Sequence, residues 1–210
     1  MLAQAYRLHL QFKSEQALSL ASEIVMHYPK CAEAYDLRSD LNRELGNMTA
    51  AIADIDQAIA LAPNTLQYVK NRANINDING HLKEAIADYG YVLVKEPKDC
   101  TVWRDRAKAY KRLKKYGQAA ADFEKAVLYG QDNHRLNDFM YERAQMHLLD
   151  GNLGRALEAS NELIKRFPYM SKGHWIRAQV YDKLAKPDLA AKERSKATAI
   201  DENLDPATKE

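Results

Sequence analysis

Cysteine is nearly missing from this chain, with only Cys31 and Cys100 among 210 residues. Cys31 and Cys100 lie at inter-repeat turns two units apart, beyond disulfide reach, so a reducing compartment is expected rather than a disulfide framework, and two thiols are too few for a structural zinc site. No apolar run approaches the roughly 20 residues needed to cross a bilayer, and the N-terminus lacks a basic stretch followed by a long apolar one. The chain therefore reads as soluble and unexported, with a cytoplasmic location. Glycine and proline are scarce, 8 and 6 residues, and sit mostly at turns. There is no glycine-rich phosphate loop, no nucleophile elbow and no pair of histidines one turn apart, and none of the six histidines falls in a metal-binding helix pattern. Neither catalysis, cofactor nor metal is expected.

What is present is a period. Alanine recurs at Ala17, Ala51, Ala85, Ala119, Ala156 and Ala190, spaced by 34, 34, 34, 37 and 34 residues. A second small residue keeps the register at Ala5, Ser39, Ala73, Ala107, Ala144 and Ala178, and proline marks it at Pro29, Pro63, Pro97 and Pro168. Within a copy, small and apolar positions are spaced by four and three, as in Trp103, Ala107 and Tyr110, then Ala119, Phe123 and Ala126. These are two helical faces. Between them lie turns such as Leu45-Gly46-Asn47 and Asn79-Gly80-His81, where glycine accommodates the left-handed conformation that closes a helix. Each copy is a helical hairpin, with alanine where the two helices cross.

The residues carrying this pattern read Tyr35, Ser39, Asn42, Gly46, Ala51, Ile55, Ala58 and Pro63 in one copy. In another they read Trp103, Ala107, Tyr110, Lys114, Ala119, Phe123, Ala126 and Gln131, with Lys114 in place of glycine and Gln131 in place of proline. With these residues the chain resembles the tetratricopeptide repeat family, whose helix-turn-helix unit is about 34 residues long. The resemblance implies an all-α, right-handed α-solenoid of stacked hairpins over residues 1–202. A partial copy at 1–31 precedes copies at 32–65, 66–99, 100–133, 137–170 and 171–202, and a polar tail follows at 203–210. The first copy lacks the start of its first helix, which leaves open a natural start before Met1.

One polar pattern repeats with the copies. Arginine precedes the small residue at Arg38, Arg72, Arg106, Arg143 and Arg177, and an acid stands in the second helix at Asp54, Asp88, Asp122 and Glu193. Arginine satisfies a carboxylate bidentately, so an arginine–carboxylate ladder is expected, broken at Ala159. A ligand-gripping role for these arginines is the alternative.

Function then falls to the surface. The resemblance implies that first helices line a concave channel that holds an extended or helical peptide. The face opposite the packing face carries Glu33, Asp36, Asp40 and Arg43 in one layer, and Gln67, Lys70, Asn74 and Asp77 in the next. Thr101, Arg104, Lys108, Lys111 and neighbouring Arg112 follow, then Asp138, Tyr141, Gln145 and Leu148, and last Lys172, Trp175, Gln179 and Asp182. From Trp103 to Tyr116 there are seven Lys or Arg and one Asp, against a formal charge of +2 for the whole chain. Such a patch favours a partner with acidic side chains, unless it is simply a well-solvated helix. Tyr141 and Trp175 would supply aromatic anchors; a one-position offset would instead bury Trp175 and expose His174. The candidate partner-binding residues are thus Lys70, Asn74, Arg104, Lys108, Lys111, Arg112, Tyr141, Gln145, Trp175 and Gln179.

One subclass of the family grips the C-terminal carboxylate of heat-shock chaperones. Lys70 and Asn74 match its first pair, but Asp105 stands where an Asn belongs, and Asp138 and Glu142 where two cations belong. No strong binding of chaperone tails is expected. Single-strand RNA readers need a basic track through several layers, and Glu33, Asp36, Asp40 and Glu44 interrupt one. The favoured reading is a non-enzymatic adaptor that binds a protein segment. The alternative is a scaffold that self-assembles through uncapped ends, where Leu2, Leu8, Leu10 and Phe12 lie at the first copy. The three-residue slip near Tyr129–His134 is expected to lengthen a turn and alter the local angle between layers.

Overall fold

The computed structural model describes residues 1–204, so most of the tail expected at 203–210 lies outside the described residues. Among the described residues every regular element is a helix. Two compact units are formed, Met1–Pro97 and Lys98–Glu210.

The first unit holds α1 (Leu2–Leu10), α2 (Ser14–His27), α3 (Ala32–Glu44), α4 (Met48–Leu61), α5 (Leu66–Ile78) and α6 (Leu82–Lys95). The second holds α7 (Cys100–Arg112), α8 (Tyr116–Tyr129), α9 (Leu136–Leu149), α10 (Leu153–Arg166), α11 (Ser171–Lys183) and α12 (Pro187–Leu204). Odd and even helices pair as hairpins, each even helix also packs on the next odd one within its unit, and α1 touches α3 as α9 touches α11. Each unit is accordingly a solenoid of helix-turn-helix hairpins, with its first helices side by side.

The small residues lie where the helices come together. Ala5, Ala17, Ala51, Ala73, Ala85, Ala107, Ala119, Ala144, Ala156 and Ala190 are all fully buried. Large residues fill the space beside them: Tyr89 in the first unit, Phe123, Phe139 and Met140 in the second. Close packing of this kind gains dispersion contacts that any void would forfeit.

Every hairpin turn uses one left-handed residue in the same register. Three are glycines, Gly46, Gly80 and Gly151, with φ of 81°, 84° and 79°, and three are not: Phe12, Lys114 and Ala185, with φ of 57°, 58° and 54°. The following amide reaches back to the helix in each case, as Asn47 N does to Asn42 O at 2.8 Å and Lys115 N to Tyr110 O at 2.9 Å. These are Schellman closures, which satisfy carbonyls left over at the helix end.

The three-residue slip is absorbed in two places. The turn between α8 and α9 covers residues 130–135, where the other inter-copy turns span four residues, and α9 has 14 residues against 13 in α3, α5, α7 and α11. The longer turn is held by its own bonds: the Asn133 side chain accepts from Arg135 N at 2.9 Å, and Gln131 Nε2 donates to Val127 O at 2.5 Å.

Candidate functional site

Two constellations follow from this frame, one between the paired helices and one on the first-helix faces. Between the helices, Arg38 Nε and Nη2 donate to Asp54 at 2.9 and 2.6 Å, Arg72 to Asp88 at 2.8 and 2.7 Å, and Arg106 to Asp122 at 2.7 and 2.8 Å. Arg177 gives both donors to Glu193 Oε2, at 3.0 and 2.5 Å, and His174 Nδ1 lies 2.6 Å from the same oxygen. The arginine–carboxylate ladder is therefore present. Burial alone would raise the Glu193 carboxyl, but donors from His174, Arg177 and Lys196 hold it down at about 2. Burial keeps the Asp122 carboxyl above its ordinary range even with Arg106 against it. Arg143 has no such rung, because Ala159 stands where the acid would be; its Nη2 donates instead to Glu162 at 2.6 Å.

The first-helix face of the second unit brings together a chain of candidate residues. Lys111 Nζ donates to Glu142 at 2.8 Å and to Gln145 at 3.2 Å, and Gln145 Nε2 donates to the Tyr141 hydroxyl at 3.4 Å. From α11, Lys172 Nζ lies 5.4 Å from the centre of the Tyr141 ring, a cation–π contact. One turn on, Trp175 is 36% exposed while His174 is buried, so the tryptophan faces outward and donates to Asp201 at 3.4 Å. Gln179 is exposed on the next turn.

The basic stretch in α7 is largely committed within the protein. Arg104 bonds Asp105 at 2.8 and 2.9 Å, Arg106 belongs to the ladder, and Lys111 is held by Glu142. Arg106 also stacks 4.8 Å from the Trp103 ring centre and 5.9 Å from that of Tyr110. Lys108 is half-buried and forms no ion pair among the described residues. Arg112 is exposed at the end of the helix. Reading cations along α7 missed the partner of Lys111, because Glu142 comes from the next hairpin.

Lys70 and Asn74 belong to the first unit, apart from the other eight candidates. Lys70 Nζ donates to Glu96 at 2.6 Å, and Asn74 Oδ1 accepts from the Tyr89 hydroxyl at 2.7 Å. The neighbouring face of α3 is acidic. Burial first, then the charges of Asp40 and Glu33, raise the Asp36 carboxyl against the lowering effect of an Asn71 bond at 2.7 Å. Burial, reinforced by Glu33 and Asp36, pushes the Tyr68 hydroxyl up to about 12.

Comparison with known proteins gives the same repeat fold. A tetratricopeptide repeat model matches residues 104–171, and another matches residues 32–65. The chain is similar to tetratricopeptide repeat protein 6 of Homo sapiens, 27% identical over 128 residues, which are 61% of this chain and 24% of that protein. It thus spans about a quarter of that relative's length. Among solved structures it is similar to the C-terminal part of a TPR repeat-containing protein from Cytophaga hutchinsonii, with a TM-score of 0.80, 16% identity and coverage of 95% of this chain and 79% of that one. It is also similar to YrrB, described as a TPR protein with an unusual peptide-binding site (TM-score 0.71, 15% identity, 86% and 91% covered). A third likeness is to MamA from Desulfovibrio magneticus RS-1 (TM-score 0.70, 16% identity, 83% and 97% covered). At these identities the structural likenesses speak for the fold.

Proposed function

The chain belongs to the tetratricopeptide repeat family, and on that premise we propose that it is a non-enzymatic interaction scaffold whose second unit holds a segment of a partner protein on its first-helix face. The observation that carries this reading is the connected run Lys111–Gln145–Tyr141–Lys172, with Trp175 exposed one turn beyond. The partly exposed Tyr141 and Trp175 offer anchoring area of the kind enriched at binding hot spots, and the neighbouring amide and ammonium groups add hydrogen-bonding capacity. Arg104, Lys108, Lys111, Arg112, Tyr141, Gln145, Trp175 and Gln179 are the proposed contacts. Lys70 and Asn74 are proposed as contacts of the first unit. An acidic side chain in the bound segment fits Lys108 best, since Arg104 and Lys111 already have carboxylates. The test is a photo-crosslinking residue placed at Gln179 and, as a control, at exposed Lys125 on α8. Crosslinks to a partner from Gln179 alone support the reading; crosslinks from Lys125 alone count against it.

A second reading rests on a different observation. The first hairpin exposes Leu10 (77%), Phe12 (95%) and Met26 (71%), an apolar concentration suited to self-association. Light scattering across concentrations decides it: growth in mass with concentration supports self-assembly, and a constant monomer mass removes it.

A further inference from the structure

The fourth full copy keeps the ladder arginine and loses its acid. Position 159 corresponds to Asp54, Asp88, Asp122 and Glu193 in the other copies, and it is a buried alanine. Arg143 stays in the ladder position with its side chain 12% exposed. Its Nη2 reaches Glu162, three residues past the usual rung, but its Nε is buried and has no hydrogen-bond partner among the described residues. In the neighbouring copies the same Nε–H donates to a carboxylate. A cavity of about 320 Å³ opens here, lined by Glu124, Arg143, His147, Arg155, Glu158, Ala159 and Glu162.

We propose that this gap in the ladder is a binding pocket for a carboxylate supplied from outside the chain, with Arg143 as its donor. The planar fork of Nε–H and Nη2–H matches a two-oxygen anion in one plane. Three other copies show that geometry occupied from within, and a fourth gives both donors to one oxygen of Glu193. In this copy Nε–H is the open donor, while Nη2 is shared with the exposed Glu162. The remaining lining restricts what enters. Glu124 is bonded to His147 at 3.1 Å and to Arg155 at 3.3 Å, which leaves those groups engaged with each other. Glu158 and Glu162 are exposed carboxylates on the same lining. The three acids of the lining oppose a dianionic phosphate more strongly than a singly charged carboxylate, which takes the place of the missing rung. The pocket shares no residue with the first-helix face proposed above and does not depend on that reading. The carboxylate has two possible sources, a free organic acid or an acidic side chain of a bound polypeptide.

The experiment follows the Arg143 Nε–H resonance in ¹⁵N-labelled full chain, identified by its loss in an Arg143→Lys variant. Sodium succinate and the peptide acetyl-Gly-Glu-Gly-amide are titrated separately at constant ionic strength, with sodium chloride as control. The resonance moves saturably with either carboxylate and not with chloride. In Ala159→Asp the rung is supplied internally, so the resonance starts displaced, no longer responds, and the protein melts at or above the wild-type temperature. A peptide at least tenfold tighter than succinate assigns the source to a polypeptide, and equal affinities assign it to a free acid; both uphold the pocket. If Ala159→Asp fails to fold, a wild-type response that is saturable and specific to carboxylate still upholds it. The proposal is overturned if the resonance ignores both carboxylates, if chloride moves it equally, or if folded Ala159→Asp responds as the wild type does.

Discussion

Arg106 and Asp122 meet across the α7–α8 crossing through two hydrogen bonds of 2.7 and 2.8 Å, with Asp122 5% exposed and Trp103 stacked on the guanidinium. Taking both charges out of water costs much of what their attraction returns, so the intact pair contributes little net stability. Removing one partner is another matter, because the remaining charge stays desolvated. Asp122→Ala is expected to destabilise the second unit by about 3 kcal/mol, read as a fall in the urea midpoint. An unchanged midpoint would mean that the guanidinium escapes to solvent.

The left-handed residues give a prediction of opposite sign. Lys114 holds φ at 58° without the freedom of glycine. Lys114→Gly is expected to stabilise by about 1 kcal/mol, the order of the cost of the left-handed region for a residue with a Cβ. Gly80→Ala at φ 84° should lose a similar amount. Thermal melting of both variants checks the pair.

At the α10–α11 contact, a Cβ on Gly173 would lie 2.9 Å from Ile164 Cγ1 and 3.4 Å from Leu163 Cγ. Gly173→Ala is therefore expected to cost about 1–3 kcal/mol through overpacking, despite the better helix propensity of alanine. Adding Ile164→Ala should recover part of the loss, a coupling measurable as a double-mutant cycle in denaturant.

The acid limb of stability depends on Glu193. Its carboxyl is depressed to about 2 in the folded chain, below its unfolded value near 4.5. The unfolded state then binds more protons in the window between, so the contribution is full above about pH 4.5 and fades as pH falls toward 2. Glu193→Gln should lower stability at pH 7 and flatten the loss between pH 4.5 and 2, as melting at successive pH values will show.

Much of this architecture was legible in the sequence. Six alanines in fixed register located every hairpin crossing, and arginine at the residue before the small position located the ladder, because both depend on spacing within a single copy. The turn residues were only half visible: Gly46, Gly80 and Gly151 announce themselves, whereas Phe12, Lys114 and Ala185 are betrayed by period alone. The outward register of α11 also followed from the pattern, with Trp175 exposed and His174 bonded to Glu193. The electrostatics of α7 did not. Lys111 finds Glu142 at a separation of 31 residues, a distance at which no local rule pairs charges, and the cavity beside Ala159 needed three helices in place before it existed.

The most direct test of the scaffold reading is capture of partners from a lysate of the source cells by wild-type chain and by a Lys108→Glu, Trp175→Ala variant with unchanged helical circular dichroism. Neither substitution touches the ladder or the helix crossings. The account predicts a protein retained by the wild type and lost from the variant. Equal retention on both would contradict it, and would place the binding surface away from the first helices of the second unit.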